Sequence, residues 1–214
     1  RGNRSSNLTL ASDLAFSHQW LMNHLTDFIS QNSNVTPSII ASDYESDCLK
    51  PEIDVAILYG EGQWPGFDAI KVFDEEVFPV CSPEVAQHGI ETTSDLVNHT
   101  LLHDDNLATV DTVPDWARWL EFAGVRGIDA QRGHRFSQSA AAIEATIVGR
   151  GVCLGRSALV EDDIQAGKLR RLFDIRYPAR HDYCLIYPKE AEKKKELMAF
   201  RDWLLAEGAA HGPN

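Results

Sequence analysis

The stretch 53–83, with the sequence IDVAILYGEGQWPGFDAIKVFDEEVFPVCSP, places the strongest constraint on the fold. Residues 55–59 form a short, continuous apolar run that Gly60 ends. Such a run is typical of a β-strand covered on both faces, because a strand with one face in water alternates apolar and polar residues. Residues 77–81 form a second extended segment, which a Ser-Pro pair closes. We interpret this second segment as a crossover between two lobes.

The residues before this stretch alternate between strand and helix patterns. Ser12 and Asp13 supply turn and cap chemistry for an amphipathic helix that we predict to run to about Ser30. Its predicted inward face consists of Trp20, Leu21, Leu25, Phe28 and Ile29. The predicted strands are 8–11, 35–41 and 53–59, with a short helix or loop over 43–51. The order strand, helix, strand, helix, strand predicts a parallel α/β sheet.

Similar units follow the crossover. Pro114 stands at a predicted first helical position and Gly124 at the end of the same helix. The other predicted helices are 93–98, 139–148, 157–165 and 190–207, and the other predicted strands are 100–102, 152–154, 169–173 and 183–187. We interpret strand 183–187 as the return crossover. The predicted lobes are therefore 8–79 with 184–214, and 80–183, while 1–7 is expected to be the remnant of a linker.

Composition excludes several kinds of function for these residues. The 214-residue chain carries a formal net charge of −12, whereas a surface that grips nucleic acid needs to be basic. Its four cysteines, Cys48, Cys81, Cys153 and Cys184, are far apart and form no CxxC pair, so we expect reduced thiols and a cytoplasmic protein. No apolar run approaches the length that spans a membrane.

No catalytic constellation stands out. The chain contains no GxSxG, GxxxxGK or HExxH motif, and we expect no cofactor, no metal and no enzymatic activity. His103, Asp104 and Asp105 could suggest a metal site or a general base. Because no further ligand stands at a defined spacing, a solvated loop is the favoured interpretation of residues 103–105.

Six motifs in the chain resemble the effector-binding domain of LysR-type transcriptional regulators, in the branch that holds the glycine-cleavage activator and the beta-lactamase regulator. They are DVAILYGEGQWPG (54–66), FDEEVFPVCSP (73–83), LLHDD (101–105), DWARWLEFAGV (115–125), GRGVCLGRSALV (149–160) and FRDWLLAE (200–207). The resemblance implies two Rossmann-like lobes joined by two crossover strands, as in type II periplasmic binding proteins. It also implies a small-molecule effector, a homodimer that is a tetramer in the full-length protein, and DNA contact only through a helix-turn-helix domain preceding this fragment.

The expected effector site is a cleft between the lobes, lined by 12–18, 41–44, 103–106, 137–139 and the hinge near Tyr183. The resemblance carries effector contacts over to Gln138, Ser139 and Tyr183, and we expect weaker contacts from Ser12, Ser17 and His103. Two structural alternatives stay open at this point: the serines at 137–139 could simply cap a helix, and Tyr183 could be a core tyrosine.

The first helix departs from the family pattern. Relatives carry Ser or Thr immediately before a phenylalanine, whereas Ala15 precedes Phe16 here. Ser12, Ser17 or His18 could supply the missing hydroxyl or another donor, and the effector could also differ. A second class of function shares the predicted fold, namely a free solute-binding protein of a transport system. A signal peptide upstream would favour that alternative, and a helix-turn-helix would exclude it.

Overall fold

The computed structural model describes residues 6–106, 111–191 and 194–210. The chain divides into two compact units, one within Arg1–Asp74 and His181–Asn214 and the other within Glu75–Arg180. The lobe boundaries predicted after residues 79 and 183 lie a few residues from these divisions. Strand pairing gives the reason for the difference, because residues 76–81 pair in the sheet of the second unit and residue 183 pairs in the sheet of the first.

The strands and helices are numbered along the chain. The strands are β1 (Ser6–Ser12), β2 (Val35–Ala41), β3 (Val55–Gly60), β4 (Phe67–Phe73), β5 (Glu76–Cys81), β6 (Leu101–Asp104), β7 (His134–Phe136), β8 (Val152–Arg156), β9 (Arg170–Arg171), β10 (Tyr177–Pro178) and β11 (Asp182–Pro188). The α-helices are α1 (Leu14–Phe16), α2 (Met22–Gln31), α3 (Glu45–Cys48), α4 (Pro83–Ala86), α5 (Trp116–Phe122), α6 (Ser139–Ile147), α7 (Ser157–Gln165) and α8 (Lys195–Ala210). A π-helical turn, Ser17–Leu21, joins α1 to α2, and a 3-10 helix spans Thr93–Asn98.

The first unit contains a five-stranded sheet in the order β2-β1-β3-β11-β4. Strand β1 runs parallel to β2 and β3, which confirms the parallel α/β arrangement predicted from the sequence. Strand β11 is antiparallel to β3 and β4, so a late segment of the chain lies inside a sheet built from early ones. Strand β1 begins at Ser6, within the segment 1–7 expected to be a linker remnant, and residues 1–5 lie outside the described residues.

The first helix covers this sheet. The carboxylate of Asp13 accepts a hydrogen bond from the Phe16 amide at 2.8 Å, as the predicted cap requires. Most of the predicted inward face is buried, but Ile29 is 38% exposed, so that part of the prediction is wrong. Ile29 lies at the edge of the narrow stripe on which Leu25 and Phe28 are buried.

Aromatic side chains fill the core of the first unit. The ring of Phe16 lies 5.2 Å from that of Trp20 and 4.7 Å from that of Tyr183. Phe16 and Trp20 are both fully buried within this unit. Helix α8 adds Phe200, which packs edge-to-face on Phe28 of α2. The helix predicted over 190–207 begins later than expected, at Lys195, and residues 192–193 of that prediction lie outside the described residues.

The second unit contains a sheet in the order β10-β5-β8-β6-β7, with β9 paired to β5. Strand β6 is parallel to β7 and β8, whereas β5 is antiparallel to β8. The strand predicted over 169–173 is wrong in extent, since only Arg170–Arg171 pair. Helix α5 begins at Trp116 rather than at Pro114, because the Asp115 carboxylate caps it by accepting from the Arg118 amide at 2.9 Å.

Candidate functional site

A polar cluster lies where β6 ends and α6 begins in the second unit. Ser139, the first residue of α6, is only 1% exposed, and the preceding cap residue Gln138 is exposed and makes no side-chain cap bond. The hydroxyl of Ser139 therefore serves contacts other than capping. The Asn106 side-chain amide donates to Ser139 Oγ at 3.4 Å, and Ser139 also bonds to the carboxylate of Asp104.

Asp104 is the ionisable member of this cluster. Burial raises the pKa of its carboxyl group, while the hydrogen bond from Ser139 and the charge of Arg156 act in the opposite direction. The Asn106 amide donates to Asp104 Oδ1 at 3.1 Å. Since α6 has nine residues, its free N-terminal amides favour anionic or carbonyl groups of a ligand near Ser139. The cluster thus offers a hydroxyl, a carboxylate and amides at one end of a sheet.

A pocket of about 300 Å³ borders Asp104 on the α5 side and is lined only by residues of the second unit. Its lining includes His103, Trp116 and Arg118. This volume is at the lower end of the range for small-molecule sites. His103 is 5% exposed, and its Nε2 lies 2.8 Å from the carbonyl oxygen of Arg132, to which it donates in the Nε2–H tautomer.

The solvated loop expected over residues 103–105 is wrong for its first two members. Strand β6 extends to Asp104, so His103 is buried and Asp104 is partly buried. Asp105 alone behaves as expected. Its exposed carboxylate accepts two hydrogen bonds from Arg135 Nη1, each at 3.0 Å.

A buried ion pair lies at the ends of two neighbouring strands of the same sheet, β5 and β8. Arg156 Nε donates to Glu75 Oε2 at 2.8 Å, and the two side chains are 3% and 0% exposed. The amide of Ala158 donates to the other oxygen of Glu75 at 2.7 Å, and the Ser157 hydroxyl donates to that oxygen at 3.2 Å. Burial raises the pKa of Glu75, against the lowering effect of Arg156 and these donors.

The other predicted site residues lie in the first unit. Ser12 and Ser17 are buried and their hydroxyls are hydrogen-bonded to each other, on either side of Ala15. Tyr183 is fully buried on β11, with its ring 4.7 Å from Phe16 and 5.7 Å from Tyr59. The structure therefore groups the six predicted residues in two sets, one in each unit.

The sequence prediction missed Glu75 and Arg156 of the second-unit site as functional candidates, whereas Asp104 and Asn106 belong to the stretch 103–106 that was expected to line the cleft. Asp104 and Asn106 follow a predicted strand, and polar residues at the carboxyl end of a parallel strand are a recognisable signal. Glu75 and Arg156 gave no such signal, since a charged residue beside a strand is usually solvated.

Nucleophilic or metal chemistry has little support among the described residues. Burial raises the pKa of the Cys81 and Cys184 thiols to about 11 and that of Cys153 to about 12, so these thiols stay protonated and unreactive near neutral pH. Within the described ranges, no group of three or more His, Cys, Asp or Glu side chains could hold a metal ion. Across those ranges, no helix combines the length and the apolar character needed to cross a membrane.

Comparison with known proteins agrees with the family motifs. The model of the LysR substrate binding domain family matches residues 1–209. The glycine cleavage system transcriptional activator of Escherichia coli K12 is 35% identical over 206 residues, covering 95% of this chain and 65% of the relative. The transcriptional activator AmpR of Pseudomonas aeruginosa is 28% identical over 199 residues, covering 92% of this chain and 64% of the relative. The chain thus spans somewhat less than two thirds of either regulator.

A solved structure extends the likeness to the fold. The effector domain of AmpR from Pseudomonas aeruginosa superposes with a TM-score of 0.75 at 27% identity, and the match covers 96% of each chain. These matches confirm the family resemblance drawn from the sequence motifs and the two-sheet α/β fold that it implied.

Proposed function

We propose, since the chain belongs to the LysR substrate-binding domain family, that it senses a small effector and thereby alters DNA binding by a longer regulator. The observation that carries this proposal is the buried cluster around Ser139. A hydroxyl, a partly buried carboxylate and the free amides of α6 converge there without any catalytic nucleophile among the described residues. Such a site can bind and orient a ligand, and binding is all that a sensor needs.

Gln138, Ser139 and Tyr183 are the proposed principal effector contacts, with Ser12, Ser17 and His103 as weaker ones. Ser139 and the α6 amides suit a carboxylate or carbonyl group. Ser12 and Ser17, whose hydroxyls are hydrogen-bonded to each other, flank Ala15 in the sequence, where the family usually has Ser or Thr. Because that local arrangement differs, we propose an effector that is small and polar but not necessarily shared with the beta-lactamase regulator. The location expected from the sequence, between the two lobes, stays a prediction.

The test begins with a thermal-shift screen against amino acids and cell-wall fragments, since a ligand that binds the folded state raises the melting temperature. Calorimetry with the strongest hit then compares Ser139→Ala and Tyr183→Phe with wild type. Each substitution is expected to weaken binding by about 0.5–1.5 kcal/mol, the net worth of one neutral hydrogen bond. Ser137→Ala is the matched control, because Ser137 is exposed and lies two residues away. If both variants bind like wild type while the protein stays folded, the proposed contacts are wrong although the fold stands.

The proposal extends to the whole protein. The two regulators reported above are named as transcriptional activators, which favours a regulatory role over a solute-binding protein of a transport system and over an enzyme. We propose that DNA contact occurs only through a helix-turn-helix domain outside these residues, in keeping with the net charge of −12. The proposed protein is cytoplasmic and assembles through homodimers into a tetramer.

A further inference from the structure

Three charged residues stand in a row across the sheet of the second unit. Strands β5, β8 and β6 are neighbours in that order. Glu75 immediately precedes β5, Arg156 ends β8 and Asp104 ends β6. The pairings Val77 with Arg156 and Leu102 with Cys153 fix the register, so the three residues meet at the same edge of the sheet.

One end of the row lies where the chain enters the second unit. Glu75 is the first residue of that unit. Its carboxylate accepts from Arg156, Ser157 and Ala158, and its backbone carbonyl accepts from the amide of Ala179 at 3.0 Å. Ala179 in turn lies immediately before Arg180, the last residue of the unit. Glu75 therefore holds the entering and the leaving segments of the chain together.

The other end of the row is the proposed effector cluster. Asp104 bonds to Ser139 and accepts from the Asn106 amide, and the positive charge of Arg156 acts on it. A guanidinium has a fixed set of hydrogen-bond donors. In a buried, low-dielectric setting, a change in the charge of one carboxylate near the guanidinium alters the strength of its interaction with the other carboxylate. Arg156 is thus placed to respond to both carboxylates.

We propose that Arg156 is a positioning residue which couples the Asp104–Ser139 cluster to the chain crossing at Glu75, because Arg156 pairs with Glu75 and ends the strand that lies next to the strand of Asp104. When a ligand engages Ser139 and Asp104, Arg156 shifts toward Glu75 and tightens the contacts that Glu75 makes with α7 and the leaving segment. The coupling itself is a property of this chain, and only its use in effector sensing rests on the function proposed above.

The amide of Ala158 provides a direct reporter. It lies in the first turn of α7, where backbone amides lack a partner within the helix, and it donates to Glu75 Oε1 at 2.7 Å. Hydrogen exchange measured by NMR on the intact chain therefore follows the Glu75 contact. Asp104→Asn removes the competing charge at nearly constant shape. We expect exchange at Ala158 to slow by about threefold to tenfold, which corresponds to strengthening a charge-assisted hydrogen bond by part of its worth.

Asp105→Asn is the matched control, because Asp105 is the next residue along the chain but pairs with the exposed Arg135, and it is expected to leave Ala158 unchanged. Introducing Asp104→Asn into an Arg156→Gln background tests the route. There the slowing should vanish, whereas slowing that persists would show direct repulsion between the carboxylates and overturn the role of Arg156.

If Arg156→Gln does not fold, a second NMR measurement tests the role of Arg156 without replacing it. The Nε–H group of Arg156 donates the hydrogen bond to Glu75. Its NMR chemical shift should change in Asp104→Asn and stay the same in Asp105→Asn. Unchanged or faster exchange at Ala158 in Asp104→Asn, or an unmoved Arg156 resonance, overturns the proposal. None of these measurements needs an effector, so their failure is distinct from failure of the proposed effector contacts.

Discussion

Strand β7 lies very close to β6 next to Gly133, and a substitution at Gly133 tests whether the strands that position the second-unit site pair as the structure shows. A Cβ atom added at Gly133 would lie 1.8 Å from the backbone carbonyl oxygen of Leu101, and Gly133 has a φ of +112°, which L residues rarely adopt. Backbone cannot yield as a flexible side chain does, so alanine here forces β7 away from β6. The strand displaced in this way is the one that pairs with His103 and Asp104.

Gly127, in the same connection between α5 and β7, is the matched control. It also has a positive φ, of +84°, but an added Cβ would meet no atom within 4 Å. Gly127→Ala should therefore destabilise the protein by about 1 kcal/mol, the conformational cost alone. Gly133→Ala carries a backbone strain of about 1–3 kcal/mol. The clash of the added Cβ with the Leu101 carbonyl contributes a further steric cost of about 1–3 kcal/mol. We expect a total of about 3 kcal/mol or more, since displacement of β7 also removes sheet hydrogen bonds.

Urea unfolding followed by tryptophan fluorescence measures both variants, because Trp116 and Trp119 report on the second unit. The decisive quantity is the difference in unfolding free energy between the two glycine variants, which isolates the additional strain and steric cost at Gly133. If Gly133→Ala is no less stable than Gly127→Ala, the close approach of the two strands is not as the structure shows, and the positions inferred for His103 and Asp104 lose their support.

Two further predictions concern pH and assembly. Hydrogen bonds from Thr92 and Glu91 lower the pKa of Asp95 below its ordinary 3.8, so the stability contributed by its carboxylate is present above that pH and is lost as the pH falls through the folded-state pKa. Asp95→Asn should lower the melting temperature near neutral pH and make the melting temperature fall less steeply as the pH is lowered. If the melting temperature of the variant falls with pH as steeply as that of wild type below pH 3.8, this reasoning is refuted. The isolated chain is expected to sediment as a homodimer at high micromolar concentration, and a purely monomeric species under those conditions would contradict the proposed assembly.

Local sequence patterns predicted many elements well. Strand Val35–Ala41 and helix Ser157–Gln165 have the predicted bounds, because turn residues and glycine mark their ends in the sequence itself. Pairing between distant segments was harder to predict. Residues 169–173 were predicted as a five-residue strand, but only Arg170 and Arg171 pair with β5. That outcome depends on the partner strand rather than on local propensity.

In the candidate site, too, local patterns identified single residues but not their partners from distant segments. Ser139 was identified because polar residues at a helix start and a family resemblance both pointed to it, whereas its partner Asp104 was assigned to a solvated loop. The row from Glu75 through Arg156 to Asp104 arises from the order of three strands that are far apart in the chain. No local pattern contains that order, so Glu75 and Arg156 could not be distinguished from ordinary surface charges before the sheet was known.

The position of β11 has a consequence for how the protein is made. Strand β4 pairs with β11, among the strands described, and β11 also separates β4 from β3. During synthesis, β3 and β4 therefore emerge long before residues 182–188 can join them, while the second unit is one continuous segment that can fold as soon as it leaves the ribosome. In the interval, both strands present unpaired edges, and such edges invite association with other chains. Newly made chains that end before β11 should accordingly be the form most dependent on chaperones.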